Sequence, residues 1–138
     1  MHITRLDRAP AYQSPGHDMM RMLRLQGRES GPSDQLWLGL SYLLPGGGTT
    51  LEASGIEKMY VVLDGEVVVS NGAEEATLRA WDSCRIAPGE PRRLSNKSNR
   101  PAAILLAMPL EPPALKTAPG SQSGANDAST RSGKEAAP

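Results

Sequence analysis

The stretch of sequence that decides the fold is MYVVLDGEVVVS, residues 59–70. Two runs rich in β-branched residues flank the dipeptide Asp64-Gly65. Val and Tyr favour extended backbone, and Asp-Gly between two such runs is a strong signal for a tight turn. The stretch therefore predicts two short strands joined by a hairpin.

Further strand signals lie on both sides of this stretch. Asn71-Gly72 marks a second turn, after which residues 75–78 can return as a strand. Other short runs fit strands too, and they are separated by Gly, Pro and Asn. Residues 20–25 (MRMLRL) fit either a strand or one turn of helix. The pattern predicts an all-β sandwich or barrel. The other runs are residues 36–44 (LWLGLSYLL), 83–86 and 101–108.

Length and composition suggest one domain. A length of 138 residues supports a single domain, whose core is built by residues 1–110. Within it, residues 1–35 form an N-terminal arm and the first strands, and residues 36–110 form the central part that contains the motifs. Residues 111–138 have one large apolar side chain, Leu115, and are predicted to be a disordered tail because they cannot bury enough surface to offset their ordering entropy.

Charge and cysteine content exclude several classes of protein. The chain has 15 basic and 15 acidic residues and no basic run, which argues against nucleic acid or a membrane surface as a partner. No apolar stretch approaches the roughly 20 residues of a membrane span. The first ten residues lack the apolar core of a signal peptide, so we expect a cytoplasmic protein. The single cysteine, Cys84, excludes an internal disulfide and is expected to be a small buried apolar residue.

Two spaced motifs carry a family resemblance. The first motif is Gly-x5-His-x-His-x3-Glu-x6-Gly, and Gly46 and Gly65 match its first and last positions. The second motif is Gly-x5-Pro-x-Gly-x2-His-x3-Asn. It aligns with residues 81–96, where Gly89 and Asn96 match its second Gly and its Asn. With the surrounding PGGG and YVVLDGE, the chain resembles the cupin superfamily over residues 36–110. This resemblance implies a cupin-type β-barrel of the jelly-roll kind.

The departure from the motifs concerns the metal ligands. Metal-dependent cupins use three His and one Glu, but the corresponding positions here are Glu52, Ser54, Lys58 and Arg92. A protonated Lys or Arg has no lone pair to donate to a cation. We therefore expect no metal and no other cofactor. A shift of one residue in strand register would bring Glu57 inward in place of Lys58, without restoring the ligand set.

The substituted positions predict an anion site. Lys58, Tyr60 and Val62 share one sheet face and should point into the barrel, with Arg92 entering from a facing strand. With Ser54, these side chains would bind a small carboxylate-type metabolite, because Arg grips a carboxylate through paired hydrogen bonds and Lys adds charge. The alternative is that an ion pair of Glu52 with Lys58 or Arg92 fills the former metal site.

Acid–base chemistry has few candidates. His17 and Glu52 are the candidate catalytic residues; His17 titrates near neutral pH, and the resemblance implies that the N-terminal segment folds over the barrel or reaches a neighbouring subunit. The leading hypothesis is a metal-independent isomerase, lyase or decarboxylase. The alternative is a non-catalytic binding or sensor module, or an accessory subunit with a filled barrel. The apolar residues 36–44 and the methionines at 19, 20 and 22 are consistent with a homodimer.

Overall fold

A computed structural model describes residues 1–110, which form ten β-strands and two short 3-10 turns. The disorder expected for residues 111–138 falls outside the described residues. The all-β prediction is confirmed, and residues 20–25 are strand rather than helix. The strands are β1 (Ala11–Tyr12), β2 (His17–Gln26), β3 (Leu36–Thr49), β4 (Glu52–Ala53), β5 (Lys58–Asp64), β6 (Glu66–Ser70), β7 (Glu75–Arg79), β8 (Ser83–Ile86), β9 (Pro91–Ser95) and β10 (Ala102–Pro109). The 3-10 turns are Leu6–Arg8 and Arg28–Ser30.

The strands pair into two facing layers, and every pairing is antiparallel. One layer has the order β1-β2-β3-β10-β5-β8, and the other has β4 and β6 on either side of β9, with β7 beyond β6. Strand β3 joins the layers, because its end pairs with β9 at Gly48 and Ser95. The result is a nearly closed barrel, and closure hides most strand edges that would otherwise stay unpaired.

The long strand β3 runs through a glycine segment that the sequence pattern places outside the strand. The sequence predicts a strand that ends at Leu44, but β3 continues through Pro45 and three glycines to Thr49. A side chain at Gly48 would collide with the carbonyl oxygen of Leu94, so glycine lets β3 bend onto the second layer. This bend places Thr49 beside β9.

The hairpin predicted at Asp64-Gly65 is wrong. Strand β5 pairs with β10 and β8, whereas β6 pairs with β7 and β9, so the dipeptide is a corner between the two layers. Gly65 has φ +78°, and an added Cβ would lie 2.8 Å from the Pro101 carbonyl oxygen. The true hairpin follows at Asn71-Gly72, between β6 and β7, as predicted.

The core fills the space between the layers. Its most buried apolar side chains are Leu43, Val62, Val67 and Ile104, which come from both layers. Asn96, which matches the second motif, is also buried, and its side-chain amide donates to the carbonyls of Leu43 at 2.9 Å and Arg100 at 2.7 Å. Its role in this structure is thus to tie the chain after β9 to the rest of the barrel.

The N-terminal arm lies on the barrel. The backbone N–H of Arg24 donates to the Pro10 carbonyl at 2.8 Å, and β1 pairs with β2. This pairing brings Tyr12 against the core, which confirms that the arm folds over the barrel. Neither 3-10 turn of the described residues has the length and apolar character of a membrane-crossing helix.

Candidate binding site in the barrel

A cavity of about 290 Å³ opens into the barrel between the two layers. Its size is near the lower end of the roughly 300–1,000 Å³ typical of small-molecule sites. All six site residues predicted from the sequence line it, so the structure brings them together. They are His17, Glu52, Ser54, Lys58, Tyr60 and Arg92.

Lys58 extends from β5 into the barrel. Burial alternates along β5, with Lys58, Tyr60 and Val62 buried and Met59 exposed, which confirms the predicted register. Only 6% of Lys58 is exposed, and its ammonium donates to the Ser54 hydroxyl at 2.6 Å. Desolvation lowers the pKa of Lys58, and the charge of Arg92 lowers it further.

Arg92 extends inward from β9, while Arg93 is exposed on the other face as predicted. Its Nη1 donates to the Thr49 hydroxyl oxygen at 2.7 Å, and the same oxygen accepts the Leu94 N–H at 3.0 Å. Arg92 is only 8% exposed, yet its Nε has no hydrogen-bond partner in residues 1–110. A buried donor without an acceptor is costly, so an acceptor entering the cavity would stabilise it.

The ion pair that would fill the former metal site is not formed. Glu52 and Arg92 are opposite each other in the β4–β9 register. Nevertheless, none of the ion pairs in the described part of the chain joins Glu52 to Arg92 or Lys58. The two buried cations thus lack an anionic partner within 4 Å among residues 1–110, and the cavity between them stays open.

His17 and Glu52 are the two least buried of the predicted site residues that line the cavity with ionisable side chains. Glu52 is exposed, and His17 is half-buried at the start of β2. The ring Nδ1–H of His17 donates to the Pro15 carbonyl at 2.9 Å, so in neutral His17 the lone pair is on Nε2. Burial lowers the pKa of His17; the Pro15 carbonyl opposes that, Arg92 lowers the pKa further, and Glu52 raises it. A neutral imidazole beside a carboxylate can accept and return a proton.

Two other groups in this region stay protonated near neutral pH. Burial raises the pKa of the Tyr60 hydroxyl, with the charge of Arg92 opposing, so Tyr60 serves as a hydrogen-bond donor. Burial also raises the pKa of the Cys84 thiol, which is half-buried against the core. This agrees with Cys84 as a packing residue rather than a nucleophile.

Of the further cavity residues that were missed from the sequence, four have aromatic or cationic side chains. Tyr12 comes from β1, Arg24 and Arg28 come from β2 and the turn after it, and Trp37 comes from β3. Alternation in LWLGL could have identified Trp37 as inward-facing. The two-residue strand carrying Tyr12 gives no periodic signal, and Arg24 faces the cavity only because the arm covers it.

The former ligand positions do not fit the metal that the resemblance implies. Lys58 and Arg92 offer no lone pair, which leaves one carboxylate and one hydroxyl as donors. Among residues 1–110, no three His, Cys, Asp or Glu side chains come together as a possible metal site. The cavity lining instead has more cationic than anionic side chains.

A second, shallower groove of about 610 Å³ lies beside His17. It is lined largely by the backbone of the glycine run and by residues 94–97. Its only cation, Lys97, is exposed and pairs with Glu75 at 3.5 Å. The groove has neither the buried charges nor the unpaired donors of the barrel cavity, so we place the candidate site in the barrel.

Comparison with known proteins agrees with the fold. The β-D-galactosidase Rv1717 of Mycobacterium tuberculosis is 41% identical over 78% of this chain and 93% of its own length. Protein TT1209 of Thermus thermophilus is 29% identical, with a TM-score of 0.59 over 79% of this chain and 97% of that one. The polyketide cyclase RemF of Streptomyces resistomycificus has a TM-score of 0.72 at 20% identity, covering 82% of each chain. The sequence model of the cupin domain matches residues 39–108, and the chain therefore belongs to the cupin superfamily.

Proposed function

We propose that this cupin binds a small sugar-sized metabolite carrying a carboxylate or phosphate group in its barrel cavity. The observation that carries the proposal is the buried Arg92, whose side chain lines the cavity and whose Nε has no acceptor among the described residues. Four cationic side chains and one carboxylate line the same space. An anion would therefore meet both a free donor and excess positive charge.

In this proposal no metal is needed. Arg92 orients the anionic group, Lys58 adds its charge, and the Tyr60 hydroxyl donates to a further ligand oxygen. His17 and Glu52 would transfer protons to and from the ligand or a water molecule at the rim. The cytoplasmic location stays a prediction of the sequence.

Glycoside cleavage is the first reaction to test, because the relative at 41% identity is named a β-D-galactosidase. Most glycosidases use two carboxylates, and Glu52 is the one carboxylate that lines the cavity in residues 1–110. In such a reaction the Glu52 carboxylate would accept a proton from the attacking water. His17 would carry the proton on Nε2 to the leaving oxygen, and proton exchange with solvent would restore both groups.

Cationic walls oppose the oxocarbenium-like transition state of that reaction. Negative charge on the substrate would offset this effect, so we expect acidic galactosides to be cleaved better than neutral ones. The same two groups would also serve an isomerase, lyase or decarboxylase, which abstracts and returns a proton. A binding module is the second candidate, and stabilisation by sugar acids without turnover would favour it.

Binding is tested by thermal unfolding at pH 7 with galactonate, galactose 6-phosphate and neutral galactose. Saturation at 100 times Kd stabilises a protein by about 2.7 kcal/mol, which raises the melting temperature by roughly 10 °C. We expect this shift with the two anions and not with galactose. Equal shifts with all three, or none, would reject the anion site.

Turnover is tested with p-nitrophenyl β-D-galactopyranoside and its galacturonide. Glu52→Gln is expected to lower kcat by about 10²–10⁴, the usual contribution of a general base. Glu57→Gln is the matched control, since Glu57 pairs with Arg85 outside the cavity. Elemental analysis of the active preparation completes the test. Activity that follows near-stoichiometric metal content would contradict the metal-independent mechanism.

The homodimer also stays a proposal, supported by the outer face of the larger layer. Val61, Leu105 and Leu40 are cross-strand neighbours there, and Met59 and Leu44 beside them are about half exposed. Light scattering is expected to give about 29 kDa, twice the 14.7 kDa chain, and Met59→Lys to lower it. A 14.7 kDa mass at all concentrations would rule the dimer out.

A further inference from the structure

A second buried donor without a partner belongs to Trp37, which also lines the cavity. Trp37 is 4% exposed, and its indole Nε1 has no hydrogen-bond partner among residues 1–110. An indole N–H can only donate, so the missing partner must be an acceptor. Sequence motifs do not point to this position, and the proposed anion contact with Arg92 does not use it.

Arg24 is held rigidly beside this indole. Its guanidinium carbon lies 3.5 Å from the centre of the Tyr12 ring and 4.3 Å from that of Trp37, which is cation–π geometry. Its Nε donates to Glu29 at 2.8 Å, and Glu29 does not line the cavity. The Nη groups make no hydrogen bond within residues 1–110, so they remain available to a ligand.

Arg28 adds charge to the same wall. Its guanidinium lies 5.7 Å from the Trp37 ring centre, and its Nη2 donates to the Leu110 carbonyl at 2.9 Å. Arg24 and Arg28 lie against aromatic rings, whereas Lys58 and Arg92 hydrogen-bond to the hydroxyls of Ser54 and Thr49. The cavity therefore has two separate groups of cations.

We propose that Trp37, Arg24 and Arg28 bind a second anionic group, so that the ligand carries two negative groups, one at each end. The inference rests on the proposed function, because Arg92 and Lys58 must bind the first group. A sugar diacid or a phosphorylated sugar acid has this chemistry. Aromatic side chains between the two groups would pack against the carbon chain of such a ligand.

The test compares galactonate, with one carboxylate, and galactarate, which has the same carbon skeleton and two. The chain has two tryptophans, and Trp81 is 77% exposed, so Trp81→Phe leaves Trp37 as the single fluorescent reporter. In this background we expect galactarate to change Trp37 emission and to bind at least tenfold more tightly than galactonate. Arg24→Gln is expected to abolish that tenfold difference while leaving galactonate affinity nearly unchanged.

Two further variants make the result decisive. Arg21→Gln, on the same strand but exposed and outside the cavity, should leave both affinities unchanged. Trp37→Phe, measured by calorimetry, removes the N–H but keeps an aromatic ring, and should also reduce the preference for galactarate. If neither compound binds, the proposed function fails. If both bind with equal affinity, or Arg24→Gln weakens both alike, only the second position is rejected.

Discussion

Arg92→Gln is expected to raise the Kd for galactonate at least about a hundredfold. A charge-assisted hydrogen bond contributes about 1.5–3 kcal/mol, and Arg92 would supply two of them in the geometry of a carboxylate. At 100 times the wild-type Kd, a hundredfold loss lowers ligand stabilisation from about 2.7 to about 0.4 kcal/mol. Thermal unfolding with and without galactonate measures this directly.

The stability of the free variant distinguishes binding from folding. Glutamine can keep one donor near Thr49 but removes the buried Nε without an acceptor, so the variant is expected to fold. Arg93→Gln, one residue away on the exposed face, is the matched control and should bind normally. Arg92→Lys should bind only weakly, because an ammonium lacks the paired donors. Unchanged stabilisation in Arg92→Gln would remove Arg92 from the site.

The spacing of two motifs was enough to predict a set of side chains that line one cavity. Lys58, Tyr60 and Arg92 were assigned inward because side chains alternate along a strand, and β5 and β9 follow that alternation. Alternation is a local property, so it holds whichever strands become neighbours. The same local reasoning failed at Asp64-Gly65. The dipeptide does form a turn, but β5 and β6 on either side of it pair with other strands and not with each other. Strand partners depend on contacts distant in sequence, and a dipeptide contains no information about them.

The second wall of the cavity could not be predicted for the same reason. Arg24 faces the cavity because β1 and the arm cover β2 and because Trp37, on the next strand, supplies a ring. Each of these contacts joins segments that have no shared motif. The absence of an ion pair at Glu52 was equally hidden, since cross-strand register with Arg92 would favour one. Whether this ion pair forms depends on the direction in which the Glu52 side chain points at the rim.

Lys58→Met is expected to stabilise the free protein by about 1 kcal/mol while weakening sugar-acid binding. The Lys58 ammonium is buried, has one hydroxyl partner and lies near Arg92, so its charge is poorly compensated. Methionine has a similar length and no charge to desolvate. Loss of a charged contact should nevertheless raise the Kd for galactonate about tenfold or more. One substitution thus changes stability and affinity in opposite directions.

The pH dependence gives an independent check on the same residue. The pKa of Lys58 is lowered in the folded protein, so between that pKa and the usual value of 10.5 the unfolded chain binds more protons. The contribution of Lys58 to the free energy of unfolding therefore rises with pH across that window. Below the window, the cost of burying the charged ammonium is fully present. The stability advantage of Lys58→Met should be largest at pH 7 and shrink toward pH 10. Lys97→Met, at an exposed lysine, should change stability by less than about 0.5 kcal/mol at either pH. A Lys58→Met variant that is less stable than wild type at pH 7 would mean that the ammonium already has an anionic partner in the free protein.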